Sequence, residues 1–389
     1  MPRVLVVGAG IAGDTLAVSL DRAGWEVTVV ENAPDLRTGG QTVDLRGAST
    51  GVLDRLGVLD ACRAALVDQR GIAWVDASGR RLAAMPVEAF GGAGFVSSEE
   101  LLRTDLARIL HAAGSDRITY RWSDTVEAID PADDHVTVSF RGHPAERFDL
   151  VVGADGAHSR TRSLVFGPED GYRHALGLGH AWFTLAEHPD TPSLDGWSLV
   201  HNAPGSRLVG ARPGHPGTQE IGFSFPMPSA PRGLDREDRF ALLRTTFAGV
   251  GWRTPELLAA LPDATDFALD TFDQIRMDTW HRGRVVLLGD SAWCVSPLSG
   301  LGTALALQGA EALAAELTAG HRDLATALAR FEHAMRPATT AAAKLIPGRV
   351  RSYAPKSALG IKAVAGVMRF VQSPFLTPVI AHVGASRGH

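Results

Sequence analysis

Arg3-Val-Leu-Val-Val7-Gly8-Ala9-Gly10-Ile11-Ala12-Gly13, at the start of the chain, decides the fold. An apolar run of strand length ends in Gly-x-Gly-x-x-Gly. A helical stretch follows from Asp14 to Ala23, with Leu16 and Leu20 four apart and Gly24 as a stop. Trp25 to Val30 then alternates as a strand and ends at Glu31. This is a βαβ unit with a glycine-rich first turn. Gly8 permits the tight turn, Gly10 lets a pyrophosphate approach the backbone, and Gly13 lets the helix pack on the strand. The anion then sits on unsatisfied amides at the helix N-terminus, and Glu31 is placed to accept hydrogen bonds from a ribose diol. Strand, turn, helix, strand and acid occur in register, which points to dinucleotide binding. Asp14 departs from the pattern, since an apolar or small residue is commoner there. Its carboxylate suits the helix dipole but repels phosphate if it points inward.

Outward from this unit, a second helix is expected over Leu101 to Leu110, carrying Arg103, and a strand over Asp149 to Val152 leads into Gly153-Ala-Asp155-Gly156. Between about 172 and 272 the pattern changes to short alternating segments, such as Leu199–His201, Arg207–Arg212 and Glu220–Phe225, separated by Pro and Gly. That predicts an antiparallel sheet with a helix at Arg236–Val250. Arg284 to Leu288 reads as another buried strand running into Gly289-Asp290, with an alanine-rich helix from about Thr303 to Leu317 and a helical, amphipathic tail after Ser352.

The fold class is therefore α/β: a three-layer, Rossmann-like FAD/NAD(P)-binding domain with an inserted antiparallel β-sheet substrate domain and a C-terminal helix. The expected boundaries are 1–170 for the first part of the nucleotide domain, with a small β excursion about 72–95. Residues 171–272 form the substrate domain, 273–350 the second nucleotide part and 351–389 the terminal helix.

Composition narrows the function. The 389 residues are 45% hydrophobic and 21% charged, which is ordinary globular usage. Forty-three acidic residues against 38 basic ones give −5, and the arginines are dispersed, so no nucleic-acid partner is expected. Cys62 and Cys294 are the only cysteines, which excludes a disulfide framework and a cysteine zinc site. The 14 histidines lack metal-site spacing, so no metal is expected. The opening run reads as a buried strand, so no signal peptide is expected. Its most apolar tail stretch, 357–383, is broken by Lys362, Arg369, Pro374 and Pro378. A cytoplasmic, membrane-free monomer or weak dimer is the expectation.

An acid at the end of the second strand suits NAD and FAD equally. Two further motifs separate them: Asp155-Gly156-x-x-Ser159-x-x-Arg162 after one buried strand, and Gly289-Asp290-Ser-Ala-Trp293-Cys-Val-Ser-Pro297-Leu-Ser-Gly300-Leu301-Gly302-Thr303 after another. A NAD dehydrogenase has no need of a second nucleotide loop so far downstream, whereas FAD extends well beyond its ADP half. With these motifs in order, the chain resembles the FAD-dependent monooxygenases of the para-hydroxybenzoate hydroxylase type. It looks closest to compact members acting on polyketides, tetracyclines included. Gly39-Gly40-Gln-Thr-Val-Asp44 is similar to the loop beneath the flavin, and Arg103 to the arginine reaching the FAD pyrophosphate.

The resemblance implies non-covalent FAD held by Gly8, Gly10, Ala12, Gly13, Glu31, Asp44, Arg103, Asp155, Gly156, Asp290, Pro297, Gly300, Leu301, Gly302 and Thr303. Asp290 would bond the ribityl chain, and Pro297, Gly300 and Gly302 would position the flavin. It implies NAD(P)H as a transient co-substrate and O2 as oxidant, with oxygen passing from a flavin C4a-hydroperoxide to an aromatic or polycyclic molecule, as in antibiotic biosynthesis or modification. Gly91-Gly92-Ala93-Gly94 is no second fingerprint, so the donor is expected in a groove near Asp155 and Arg162. No catalytic side chain is expected, because the cofactor carries the hard step.

Substrate candidates are Trp182, Ile221, Phe223, Trp293 and Met368. Trp293 stands where the family has His, and either walls the pocket or fills core. The tail helix, with Met368, Phe370 and Phe375, either closes the pocket or docks the domains. Ala304 replaces a common Asn, and Asn32 a common Arg. A flavin dehydrogenase, reductase or halogenase of the same fold is the competing reaction; a non-catalytic flavin-binding accessory protein is the competing class.

Overall fold

The run at Val4–Val7 is apolar at every position because both of its faces are covered. In the computed structural model, which describes residues 1–36, 39–89, 97–188, 191, 193–229, 233–320 and 323–371, it lies inside a six-stranded sheet. The order is His281–Arg282, Val285–Leu287, Leu150–Gly153, Arg3–Val7, Glu26–Val30, Thr119–Arg121. All pairs are parallel except the short first edge. Val4 and Val6 face the helices Ile11–Arg22, Gly302–Thr318 and Leu324–Ala343, packing with Leu16, Leu305, Leu313 and Phe331. Leu5 and Val7 face the opposite way, onto Val126, Val136 and Phe148 of a three-stranded antiparallel sheet. Those are the three expected layers, and double-sided burial is why the strands are continuous in hydrophobicity.

The second sheet has seven strands, in the order Ala268–Ile275, Arg173–Ala186, Thr218–Pro226, Arg207–Pro213, Trp197–Ala203, Gly71–Val75, Arg81–Pro86. The excursion expected about 72–95 is thus part of this sheet, and it joins through a parallel pair, Trp197–Ala203 with Gly71–Val75, in an otherwise antiparallel array. Strand Ala268–Ile275 runs through the 272/273 boundary. One face of the sheet packs Phe183, Val209, Ile221 and Phe223 on Phe240 and Leu243 of helix Arg236–Thr246. The other face is left for the site.

One helix start differs from the sequence reading. Leu101 and Leu102 belong to strand Glu100–Leu102, paired with Thr42–Asp44, and the helix begins at Arg103. Two buried leucines in a row suit either element, and cross-strand pairing chose. The Gly91–Gly94 run and Phe375 lie outside the described residues.

Candidate functional site

The three glycines of the first turn are used differently. A Cβ on Gly8, at φ +107°, would stand 2.6 Å from the Ala154 carbonyl oxygen, and one on Gly13 would stand 1.9 Å from the Gly8 oxygen. Gly10 has nothing within 4 Å of that position. Two glycines close the turn and the third opens on free space. Gly10 is also the N-cap of helix Ile11–Arg22 and makes no side-chain cap, so that helix's first amides face the same opening. Glu31 braces the turn: one carboxylate oxygen accepts the Ala9 N–H at 3.0 Å, the other the Ala33 N–H at 2.8 Å.

The distant third motif arrives at this turn. A Cβ on Gly289 would meet the Ala12 Cβ at 3.0 Å, so the two loops touch. Asp290 follows, half-buried, beside Cys294. Burial raises its pKa, opposed by the Arg103 charge nearby. Arg103 is exposed at the start of its helix, and its N–H donates to the Gln41 carbonyl at 3.1 Å, so the Gly39–Asp44 segment joins the same rim. Pro297 leads a short turn ended by Gly300 at φ +68°. Gly302 and Thr303 then open helix Gly302–Thr318, whose N-cap Leu301 also makes no side-chain cap. Two uncapped helix N-termini, an open glycine and a half-buried carboxylate fit an elongated, anionic, hydroxyl-bearing group such as FAD.

Asp155 and Asp44 have other occupations. The Asp155 carboxylate accepts the Thr161 N–H at 2.9 Å and the Ser291 hydroxyl at 3.2 Å, and the Gly156 N–H donates to the Ser291 Oγ at 3.0 Å. The pair locks the second motif onto the third. Asp44 pairs Arg46 at 3.5 Å, and burial, then the Glu100 charge, pushes its pKa up to about 7. Arg162 is a correction: it is fully buried, donating to the Ser291 carbonyl at 2.9 Å and the Ala157 carbonyl at 2.6 Å and pairing Glu169. A side chain spent on structure offers no charge to a nicotinamide donor.

Between Pro297 and the open face of the large sheet lies a cavity of about 300 Å³. Trp182, Trp74, Phe272, Leu298 and Met368 supply apolar walls. Met368 comes from the terminal helix Ala358–Val371, which therefore borders the cavity. The strand period decides the other candidates. Trp182 shares a face with His180, toward the cavity. Phe223 is 0% exposed on the opposite face, its ring 4.9 Å from Phe247, and the Ile221 side chain packs in the same core although its strand edges the cavity. Phe223 is corrected from substrate contact to core. So is Trp293, 4% exposed and 4.6 Å from Trp280, with Phe331 behind it. Gly309 makes the room: a Cβ there would lie 2.7 Å from the Trp293 ring.

A buried polar chain crosses the cavity. The Gln41 amide donates to His180 Nε2, so the ring proton is on Nδ1, which donates to Ser224 Oγ at 2.7 Å. Ser224 Oγ lies 3.0 Å from the Tyr353 hydroxyl. Burial, then the Arg212 charge, lowers the His180 pKa to about 4, so the ring stays neutral near pH 7. Either hydroxyl of the Ser224–Tyr353 pair can donate; where Ser224 does, the phenol hydrogen is left for an oxygen in the cavity. Trp182 is legible from the sequence, but Gln41 and Tyr353 come from segments 139 residues before and 173 after His180. No local pattern joins them.

The family of the FAD binding domain matches residues 1–344. An FAD-dependent monooxygenase of Sarocladium schorii is 33% identical over 95% of this chain and 92% of its own length. Among solved structures, the tetracycline destructase Tet(51) is similar at TM-score 0.80 and 29% identity, covering 95% of this chain and 97% of its own. The tetracycline destructase Tet(55) is similar at 0.79 and 30%, covering 97% and 96%.

Proposed function

The chain belongs to the FAD-dependent monooxygenases of the FAD binding domain family, and from that premise we propose that it hydroxylates an aromatic or polycyclic, phenol-bearing molecule, using NAD(P)H as reductant and O2 as oxidant. One observation carries this reading. The 300 Å³ cavity is walled on one side by Pro297 and Leu298 of the cofactor motif and on the other by Trp182, Trp74 and Phe272 of the large sheet. A flat apolar molecule held there lies against the loop assigned to the flavin.

We assign FAD to the glycine turn, Glu31, Arg103, Asp290 and the Pro297–Thr303 segment. When bound, FAD accepts electrons from the nicotinamide and supplies activated oxygen. The protein's own work is positional. The uncapped amides of helix Gly302–Thr318 would stabilise negative charge on the group held there. Trp182, Phe272, Leu298 and Met368 keep water from the reacting face. Tyr353 donates a hydrogen bond to a substrate oxygen, held in place by Ser224 and neutral His180. Trp293, within the third motif, packs into the core with Trp280 and Phe331.

The test is turnover with labelled dioxygen across phenols and polyketides, tetracycline among them. Stimulated NAD(P)H oxidation with one labelled oxygen atom in the product is expected. Label found only in water or hydrogen peroxide across the panel would refute hydroxylation in favour of an oxidase or reductase.

A further inference from the structure

No acidic residue follows Glu332, yet the remaining residues carry eight basic side chains, among them all three lysines of the chain. The tail is thus +8 while the rest is −13 for a net −5. Within this tail, helix Ala358–Val371 is apolar on two faces. Its inner stripe includes Val364 and Met368, which line the cavity, and Ala365, 5% exposed. Its outer stripe is Leu359, Ala363, Val367 and Phe370, spaced as one helical face. Leu359 is 78% exposed, Val367 53% and Phe370 67%, flanked by exposed Lys362 and Arg369. Single exposed hydrophobics need no explanation. Here four of the seven large ones among the described residues fall between 346 and 370, Ile346 being the fourth.

We infer that the outer face of helix Ala358–Val371 docks on an anionic phospholipid surface, with Leu359, Val367 and Phe370 entering the acyl boundary and the basic side chains meeting headgroup phosphates. No described helix is long and apolar enough to cross a membrane, so the contact lies in the plane of the interface. The charge is complementary to anionic lipid. A second copy of the chain would bring two cationic tails together, and an acidic protein would match the charge without requiring an apolar stripe. The same helix walls the cavity, so docking places the cavity beside a membrane-dissolved apolar substrate. Only this last consequence rests on the proposed hydroxylase function.

The experiment uses the full-length, FAD-loaded protein without substrate or donor, so its outcome is independent of turnover. Sedimentation is compared with vesicles of phosphatidylcholine alone and of phosphatidylcholine with phosphatidylglycerol. Binding is expected only to the anionic vesicles, weakening as salt rises. K362Q/R369Q should lower the apparent affinity by about 25-fold, at roughly fivefold per charge. V367S/F370S should lower it on the order of tenfold or more. Unchanged FAD content and melting temperature show that both variants are folded. Protein that stays in the supernatant with both vesicle types overturns the inference, as do variants that bind like the parent. Capture by polyglutamate that ignores V367S/F370S reassigns the face to an acidic protein. A dimer broken by V367S/F370S without vesicle binding reassigns it to a second copy.

Discussion

Asp14→Asn should stabilise the protein, and only above a particular pH. Asp14 lies one residue past the third glycine and is 0% exposed. Its Oδ1 accepts the Tyr120 hydroxyl at 3.0 Å, while Oδ2 has no partner among the described residues. Burial, opposed by the Tyr120 bond and reinforced by the Glu31 charge, raises its pKa from 3.8 to about 7. A carboxyl whose folded pKa is raised stays protonated in the native state while the unfolded chain ionises. Stability is therefore lost as pH climbs from about 4 to about 7, and the loss is constant beyond. A rise of about 3 units is worth at most ~4 kcal/mol, and relaxation or an entering water reduces this to the order of 2. Asn keeps an acceptor for Tyr120 and has no charge to desolvate. Urea unfolding of both proteins at pH 4 and pH 8.5, with FAD at one concentration, is the assay. The advantage of the variant should be well under 1 kcal/mol at the lower pH and about 2 kcal/mol or more at the higher. An equal advantage at both pH values, or none at pH 8.5, would refute the argument that an ionised Asp14 is the cost.

The remaining tests separate holding the cofactor from holding the fold. Gly10→Val should yield a folded protein that purifies without its yellow colour, because the new side chain fills open space. Gly13→Val should fail to fold, because its Cβ would overlap the Gly8 carbonyl; flavin content and circular dichroism distinguish them. Asp290→Ala should weaken FAD by about 10- to 150-fold at nearly unchanged stability, the usual worth of a charged hydrogen bond, read by titrating apoprotein with FAD. Tyr353→Phe should leave FAD affinity unchanged and raise KM for a phenolic substrate by roughly 5- to 10-fold; a fall in flavin content instead would move Tyr353 into the structural framework.

The glycine turn, the acid after the second strand and the order of the three motifs are local in sequence, and they alone determined an α/β nucleotide fold. Close approach at Gly8 and Gly13 leaves little choice of residue, so those positions are readable from the sequence. Which face of a strand meets solvent, ligand or helix is different, because alternation gives two faces and no sign. Ile221 and Phe223 share a face that helix Arg236–Thr246 happened to cover, and Trp293 fills a gap that Gly309 leaves on a distant helix. Arg162, placed by its motif beside the expected donor groove, is instead enclosed by Ser291 and Glu169. The chain Gln41–His180–Ser224–Tyr353 joins three separate parts of the chain. Contacts between residues far apart in sequence are set by packing, which the sequence encodes only collectively, and so the tertiary structure decided where the cavity lies and which side chains reach it.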